Sequence, residues 1–223
     1  MNKYTWPDPP SRVAFPVASA GYPLILIAAF STAVFALLEF AVLAIIGLLV
    51  TLFICYFFRD PDRVVPNEPG AVISPADGKI IVAAPVKNCP YYEGDCLKIS
   101  IFMSIFNVHI DRIPQEGSIQ AIDYKPGTFV AADRQQASMK NEQNAVFLKT
   151  EEDKKICFVQ IAGLIARRII CKIQPGDRVI RGQRFGLICF GSRLDVYVPP
   201  ETKLNVAFGD RVKAGSSILG FLP

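Results

Sequence analysis

The sequence predicts a mainly β protein: a barrel-sandwich-like β domain with two hammerhead-type hairpins, preceded by an N-terminal hydrophobic helical membrane anchor. Three observations carry this expectation. Apolar residues crowd the N-terminus, where Glu39 is the sole charge between Val13 and Phe58. Beyond residue 70, short apolar runs alternate with Gly, Asp, Pro and Asn, without a sustained helical period. The tetrapeptide Gly-Asp-Arg-Val occurs at 176–179 and again at 209–212, each followed by a further glycine, Gly182 and Gly215.

Composition narrows the function classes. A chain of 223 residues suits one domain with an appendage. At 51% hydrophobic it is too apolar to be disordered. Lys+Arg 24 against Asp+Glu 20 gives net +4. That excludes the dense basic stripe of a nucleic-acid binder and suits contact with an anionic membrane. His109 is the single histidine, so no His-rich metal site is expected. The 6 cysteines form no CxxC pair. They read as free thiols of a reducing compartment. Cys89 and Cys96, which flank a short loop, are the one pair for which a bridge stays open.

The anchor is expected within residues 1–58, and the β-rich domain from 59 to 223. Residues 40–58 carry no charge and would reach about 28 Å as a helix, against about 30 Å of bilayer core. Residues 17–38 are also uncharged, but Pro23 is awkward deep in a helix. A first helix is therefore expected from about 24 to 38, spanning about 22 Å. Lys3 and Arg12 precede the block, and Arg59 and Arg63 follow it. This predicts a hairpin with both ends in the cytoplasm and Glu39 near the far turn. The turn lacks Gly or Pro, so a single span or a monotopic insertion remain alternatives. A cleavable signal peptide fits poorly, because the apolar stretch is too long and starts late.

RDPDRVVPNEPG (59–70) reads as a linker. Strands are expected at 79–86, 96–110, 117–124, 145–150 and 155–163, whereas 132–144 is polar and loop-like. Each Gly-Asp pair marks a hairpin corner in which glycine supplies positive φ. Two such corners resemble the hammerheads of biotinyl and lipoyl carrier domains.

Three segments carry candidate chemistry. In Ser74-Pro75-Ala76-Asp77-Gly78-Lys79 the acid stands at a strand entry, where turn chemistry is the ordinary role. In FMSIFNVHIDR (102–112), read as one extended strand, Asn107 and His109 share a face with Met103 and Ile105. His109 is the only imidazole available as a base near neutral pH. In LICFGSRLDVYV (187–198), Gly191-Ser192 interrupts a β run. The pair is either a bulge or a peptide bond held so that Ser192 can attack the Gly191 carbonyl. A G-x-S-x-G elbow is excluded, because Phe190 and Leu194 stand where its glycines belong.

FFRDPDRVVP (57–66), SPADGKI (74–80), FMSIFNVHIDRIP (102–114), GTFVAADRQQASMKNEQN (127–144) and FGSRLDVYVP (190–199) together resemble the phosphatidylserine decarboxylases of the short type. The resemblance runs from about residue 57 to the C-terminus. Arg193 after the Gly-Ser pair follows the short bacterial and archaeal forms and departs from many larger ones, which leaves the exact serine phospholipid open.

The resemblance implies a self-processing proenzyme. Ser192 would attack Gly191 by an N→O acyl shift, and β-elimination would leave a pyruvoyl group at residue 192. The products would be a β chain, 1–191, and an α chain, 192–223, held as a heterodimer, with further oligomerisation undetermined. His109 would act as base and Asp77 would orient it. The pyruvoyl carbonyl would form a Schiff base with phosphatidylserine and act as electron sink, yielding phosphatidylethanolamine and CO2 for phospholipid biosynthesis. The substrate would come from the membrane, with the catalytic domain on the cytoplasmic face of the cell (inner) membrane. Arg193 and Arg112 are candidate phosphate contacts, with Lys125, Arg167 and Arg168 as further ones. No metal and no nucleic acid are expected. Two rival classes are a serine hydrolase using Ser192, His109 and Asp77, and a non-enzymatic, membrane-tethered carrier domain.

Overall fold

The computed structural model describes residues 4–8, 15–92, 94–127, 140–163, 168–189 and 191–223. The chain divides into two compact units: Pro10–Asp62, and Arg63–Pro223 together with Met1–Pro9.

The first unit is a helical hairpin. Helix α1 runs Tyr22–Leu37 and helix α2 Ala41–Phe57. Pro23 lies in the first turn of α1, where its missing N–H costs nothing, so the helix starts earlier than expected. The turn uses Glu39 itself at φ 61, a left-handed conformation taken without glycine. Thr32 and Thr51 bring their hydroxyls to 3.4 Å between the helices. Each also donates to the carbonyl one turn back, Ala28 and Gly47, so these polar groups are satisfied within an apolar pair. Leu26, Phe30, Leu37 and Val42 are among the many large apolar side chains left exposed.

The second unit is mainly β. Its strands are β1 (Tyr4–Thr5), β2 (Val65–Pro66), β3 (Ala71–Ile73), β4 (Gly78–Val86), β5 (Cys96–Met103), β6 (Ile110–Arg112), β7 (Gly117–Lys125) and β8 (Gln143–Lys149). They continue with β9 (Lys155–Ile161), β10 (Ile169–Cys171), β11 (Arg178–Val179), β12 (Arg184–Ile188), β13 (Ser192–Val198), β14 (Lys203–Leu204), β15 (Arg211–Val212) and β16 (Ile218–Phe221). An antiparallel, curled sheet of 8 strands has the order β11-β7-β8-β9-β13-β5-β4-β15. Two sheets of 3 strands, β10-β12-β6 and β14-β16-β3, accompany it. Alternating residues of the large sheet, such as Ile99, Ile101, Phe158, Leu194 and Val196, bury against Ile113, Phe185, Ile188 and Leu219 of the smaller elements. Phe158 and Phe185 meet edge to face at 5.0 Å across this core.

The repeated tetrapeptides are the two edges of the large sheet. Arg178 pairs with Ser118, and Arg211 with Lys79. Gly176 (φ 93) and Gly209 (φ 98) donate to the Ile119 and Ile80 carbonyls, at 2.8 and 2.9 Å. The equivalence extends beyond the tetrapeptide. Ser74-Pro75-Ala76-Asp77-Gly78 occupies in one copy the place of Ile113-Pro114-Gln115-Glu116-Gly117 in the other. Ile73 N–H donates to the Pro114 carbonyl and Arg112 N–H to the Pro75 carbonyl, at 2.9 and 2.8 Å, so the copies exchange matching bonds. Their register shifts also match, between Ile80 and Val82 and between Ile119 and Ala121.

One expected strand is corrected. Strand β5 ends at Met103, and the run to residue 110 is broken by a turn. Asn107 Oδ1 accepts from the Ser104 N–H at 2.9 Å and from the Ser104 hydroxyl at 2.7 Å. A side-chain-capped turn of this kind needs neither Gly nor Pro. All 6 cysteines are free thiols, Cys89 and Cys96 included.

Candidate active site

Gly191 and Ser192 lie where the chain passes from one sheet to another. Strand β12 belongs to a sheet of 3 strands, and β13 enters the middle of the sheet of 8 between β9 and β5. Gly191 takes φ 70, and a Cβ built there would meet nothing within 4 Å. Glycine is therefore required by the backbone conformation, not by crowding. Ser192 is fully buried. It stands opposite Met103, on the inward side shared with Leu194 and Val196. Among the described residues its Oγ has no hydrogen-bond partner. Leaving a buried hydroxyl unsatisfied costs about 1–3 kcal/mol, and no competing bond among the described residues holds this one.

The sheet register gathers the three candidate segments. Lys79 pairs with Phe102, and Phe102 with Arg193. The entry of β4 at Asp77-Gly78, the end of β5 and the entry of β13 at Ser192 thus stand side by side at one end of the sheet. Asp77 and Asn107 line one cavity of 520 Å³ there.

His109 is fully buried, and its Nδ1 lies 3.0 Å from the Asn107 carbonyl. A carbonyl can only accept, so Nδ1 carries a proton, and in the neutral form of the ring the lone pair is on Nε2. Asn107 and His109 do not alternate with Met103 and Ile105 as on a strand, because the turn at 104–107 intervenes.

Asp77, expected to orient His109, meets other partners among the described residues. Its Oδ1 accepts the Ala214 N–H at 2.7 Å, and its Oδ2 meets Arg63 at 3.2 Å. A backbone amide and a guanidinium occupy the carboxylate, and the Asn107 carbonyl takes the orienting place beside the imidazole.

The two arginines expected to meet phosphate are turned inward. Arg193 is 2% exposed, and its Nε and Nη2 reach the two oxygens of Asp195 at 2.8 and 2.9 Å. Lys98 joins that carboxylate at 2.9 Å. Arg112, also 2% exposed, donates to the Gly182 carbonyl at 2.9 Å and lies 3.8 Å from Asp8. Lys125 and Arg168 are exposed, and Arg167 lies outside the described residues.

One buried polar pair had no role assigned from sequence. Asp111 is fully buried, and its Oδ2 accepts from Gln160 Nε2 at 2.7 Å. Gln160 in turn accepts from Asn144 at 3.0 Å. Burial pushes the Asp111 carboxyl up to about 8, against the opposing hydrogen bond from Gln160. The group is mostly protonated at neutral pH. Gln160 stands opposite Leu194, two residues along the same inward face from Ser192. Asp111 follows His109 by two residues, and that spacing is the only trace it leaves in the sequence.

With the geometry in place, comparison with known proteins defines the class. The family profile described as phosphatidylserine decarboxylase matches residues 50–220. A phosphatidylserine decarboxylase proenzyme of Desulfotalea psychrophila is 53% identical over 205 residues, covering 92% of this chain and 96% of that protein. One from Geotalea uraniireducens is 49% identical over 208 residues, with 93% and 97% covered. One from Syntrophus aciditrophicus is 46% identical over 206 residues, with 92% and 96% covered. The chain belongs to the phosphatidylserine decarboxylase family.

Proposed function

We propose that this protein decarboxylates phosphatidylserine to phosphatidylethanolamine in phospholipid biosynthesis, using a pyruvoyl group made from its own Ser192. The observation that carries the reading is the Gly191-Ser192 junction. It joins a left-handed glycine with an open flank to a buried hydroxyl that has no hydrogen-bond partner among the described residues. Those features fit a residue that must react with the peptide bond before it.

In the processing step Ser192 Oγ adds to the Gly191 carbonyl carbon. The C–N bond breaks, the nitrogen takes a proton, and an ester replaces the amide. Removal of the Ser192 Cα proton then expels the Gly191 carboxylate from Cβ, and water replaces the remaining nitrogen, which leaves as ammonia. His109 is the base for these transfers. Its tautomer, set by Asn107, leaves Nε2 able to accept. Asp77 is a positioning residue that ties Arg63 and the turn at Ala214 to the entry of β4. The pyruvoyl carbonyl supplies the electron sink that decarboxylation of an amino acid head group requires. Gln160 and the neutral Asp111 give the site a polar wall that adds no net charge.

The α1–α2 hairpin is the membrane anchor in this reading. Its first apolar segment, Ser19–Leu37, has a mean hydropathy of 1.9, and only 6% of it is buried. The β unit then works on the cytoplasmic face, with its α and β chains held as a heterodimer. A serine hydrolase acting on external substrates is disfavoured, since Ser192 is enclosed in the uncut chain.

The test is processing followed by reduction. Wild-type protein should give two chains broken between Gly191 and Ser192 by intact mass, and Ser192→Ala a single chain. Borohydride should reduce the ketone and abolish CO2 release from phosphatidylserine in detergent micelles. Activity that survives borohydride in a fully processed sample overturns the proposal.

A further inference from the structure

We propose that the face of the β unit around the Asp77 cavity docks onto the surface of a bilayer that carries anionic phospholipid. The contact consists of Lys79, Arg211 and Lys213, with the aromatic tips Phe106 and Phe208. It goes beyond the chemical reading above and does not depend on it.

The first observation is electrostatic. Arg211 stands directly opposite Lys79 in the β15–β4 pair. Opposed side chains on neighbouring strands are about 5 Å apart at Cβ, and like charges there destabilise the sheet. Lys213 follows on the same outward side of the chain, and all three line the cavity. All three are exposed, and none has an ion-pair partner among the described residues. The edge of the sheet thus holds an uncompensated positive cluster that an external anion would relieve.

The second observation is an internal control. The duplicated substructure builds an equivalent cavity of 630 Å³ at the other edge of the sheet. There Ser118 and Ile180 stand where Lys79 and Lys213 stand here, and only Arg178 keeps the charge of Arg211. Glu116, Glu151 and Asp153 line that twin, whereas Asp77 is the sole acid lining the first cavity. The turn geometry is shared, so it does not demand the cations. Lys79 and Lys213 are particular to the copy that carries Asp77, and the twin's further cation, Lys149, is paired with Asp153.

The third observation is apolar. Phe208 is 73% exposed at the tip of the turn whose Gly209 donates to Ile80, next to Lys79. The twin turn has Pro175 at that place. Phe106, 62% exposed, rises from the turn at the far wall of the cavity. Exposed aromatics flanked by Lys and Arg suit the headgroup layer of a bilayer. Arg63, where the chain enters the β unit from the proposed anchor, is itself bonded to Asp77 on this cavity. Docking here would present the cavity to lipid headgroups.

The test uses the full chain with Phe208→Trp in a Trp6→Phe background, which makes the new indole the only one. The protein is reconstituted into phosphatidylcholine vesicles with or without phosphatidylglycerol, and quenching by brominated acyl chains is read. Quenching should be strong with phosphatidylglycerol, weak without it, and reduced by salt. Each of Lys79→Gln, Arg211→Gln and Lys213→Gln should lower the docked-to-undocked ratio about five-fold. A reporter in the twin cavity, Ile180→Trp in the same background, should not respond to the anionic lipid. Equal quenching at 208 and 180, or quenching indifferent to loss of all three cations, overturns the proposal. Each variant is first checked for wild-type thermal unfolding, and single substitutions serve if the triple one fails that check. Measured in a Ser192→Ala chain, the same readout tests docking whether or not the protein decarboxylates anything.

Discussion

At Gly191 the conformation and the space around it can be separated experimentally. A Cβ there has room, but at φ 70 an L side chain is strained. Gly191→Ala should therefore give a folded chain destabilised by about 1–2 kcal/mol. If the left-handed turn is what aims the Gly191 carbonyl, relaxation of that strain should also slow cleavage, followed by intact mass over time. Cleavage at the wild-type rate would detach the turn from the reaction. Asp111 supplies a second residue-scale prediction. Its carboxyl is raised from 3.8 to about 8, so between these values the unfolded chain has released a proton that the folded chain keeps. Stability should then fall as pH rises across that window, by up to about 1.4 kcal/mol per pH unit. Above the window the loss is complete and the slope vanishes. Asp111→Asn should flatten this dependence, measured by urea unfolding at several pH values. A wild-type slope that persists in the variant would assign it to other groups.

At the scale of elements, the sequence announced some features and concealed others for identifiable reasons. The Gly-Asp-Arg-Val corners were legible because positive φ and a side-chain-capped turn demand particular residues. The Asp177 and Asp210 carboxylates accept from the Gln174 and Ala207 amides at 2.9 and 2.8 Å, the same bond in both copies. The partner half of each repeat was hidden, because 74–78 and 113–117 share only Pro and Gly outright. The break after Met103 was missed because Asn107 closes the turn with its side chain. Gly191, Ser192 and His109 were singled out by residue type and context, and the register brings the entry of β13 beside the end of β5. The inward turn of Arg193 and Arg112 was not, because a charge in a sequence does not reveal whether it is paired in a core. Arg193 with Asp195 shows why: two residues apart on one strand, they share a face and bond to each other. The helical hairpin was read from uninterrupted apolarity, yet its turn obeyed no Gly or Pro rule, since Glu39 takes the left-handed position.

At the scale of the whole molecule, cleavage between Gly191 and Ser192 would cut the chain without dividing the fold. Residues 192–223 supply β13, which is bonded along Ser192–Val198 to β5 and along Arg193–Tyr197 to β9. They also supply the edge strand β15 on β4, and β16 on β3. Leu194, Val196, Val198 and Leu219 of this segment are in the main core. Such a segment cannot leave without opening the middle of the large sheet and exposing its apolar face. The two chains should therefore copurify after processing and separate only in denaturant. A buried charge cluster on β13 adds a specific lever, because Asp195 holds Arg193 of its own strand and Lys98 of β5. Asp195→Ala would leave a buried guanidinium without its counter-charge, at a cost of about 3–5 kcal/mol. The expected result is a lower denaturant midpoint for release of the short chain, read by size-exclusion chromatography of processed protein across a urea series. If Asp195→Ala released its short chain at the wild-type midpoint, the ion cluster would be excluded as a clamp. The backbone ladder and the core would then hold the cleaved molecule together alone.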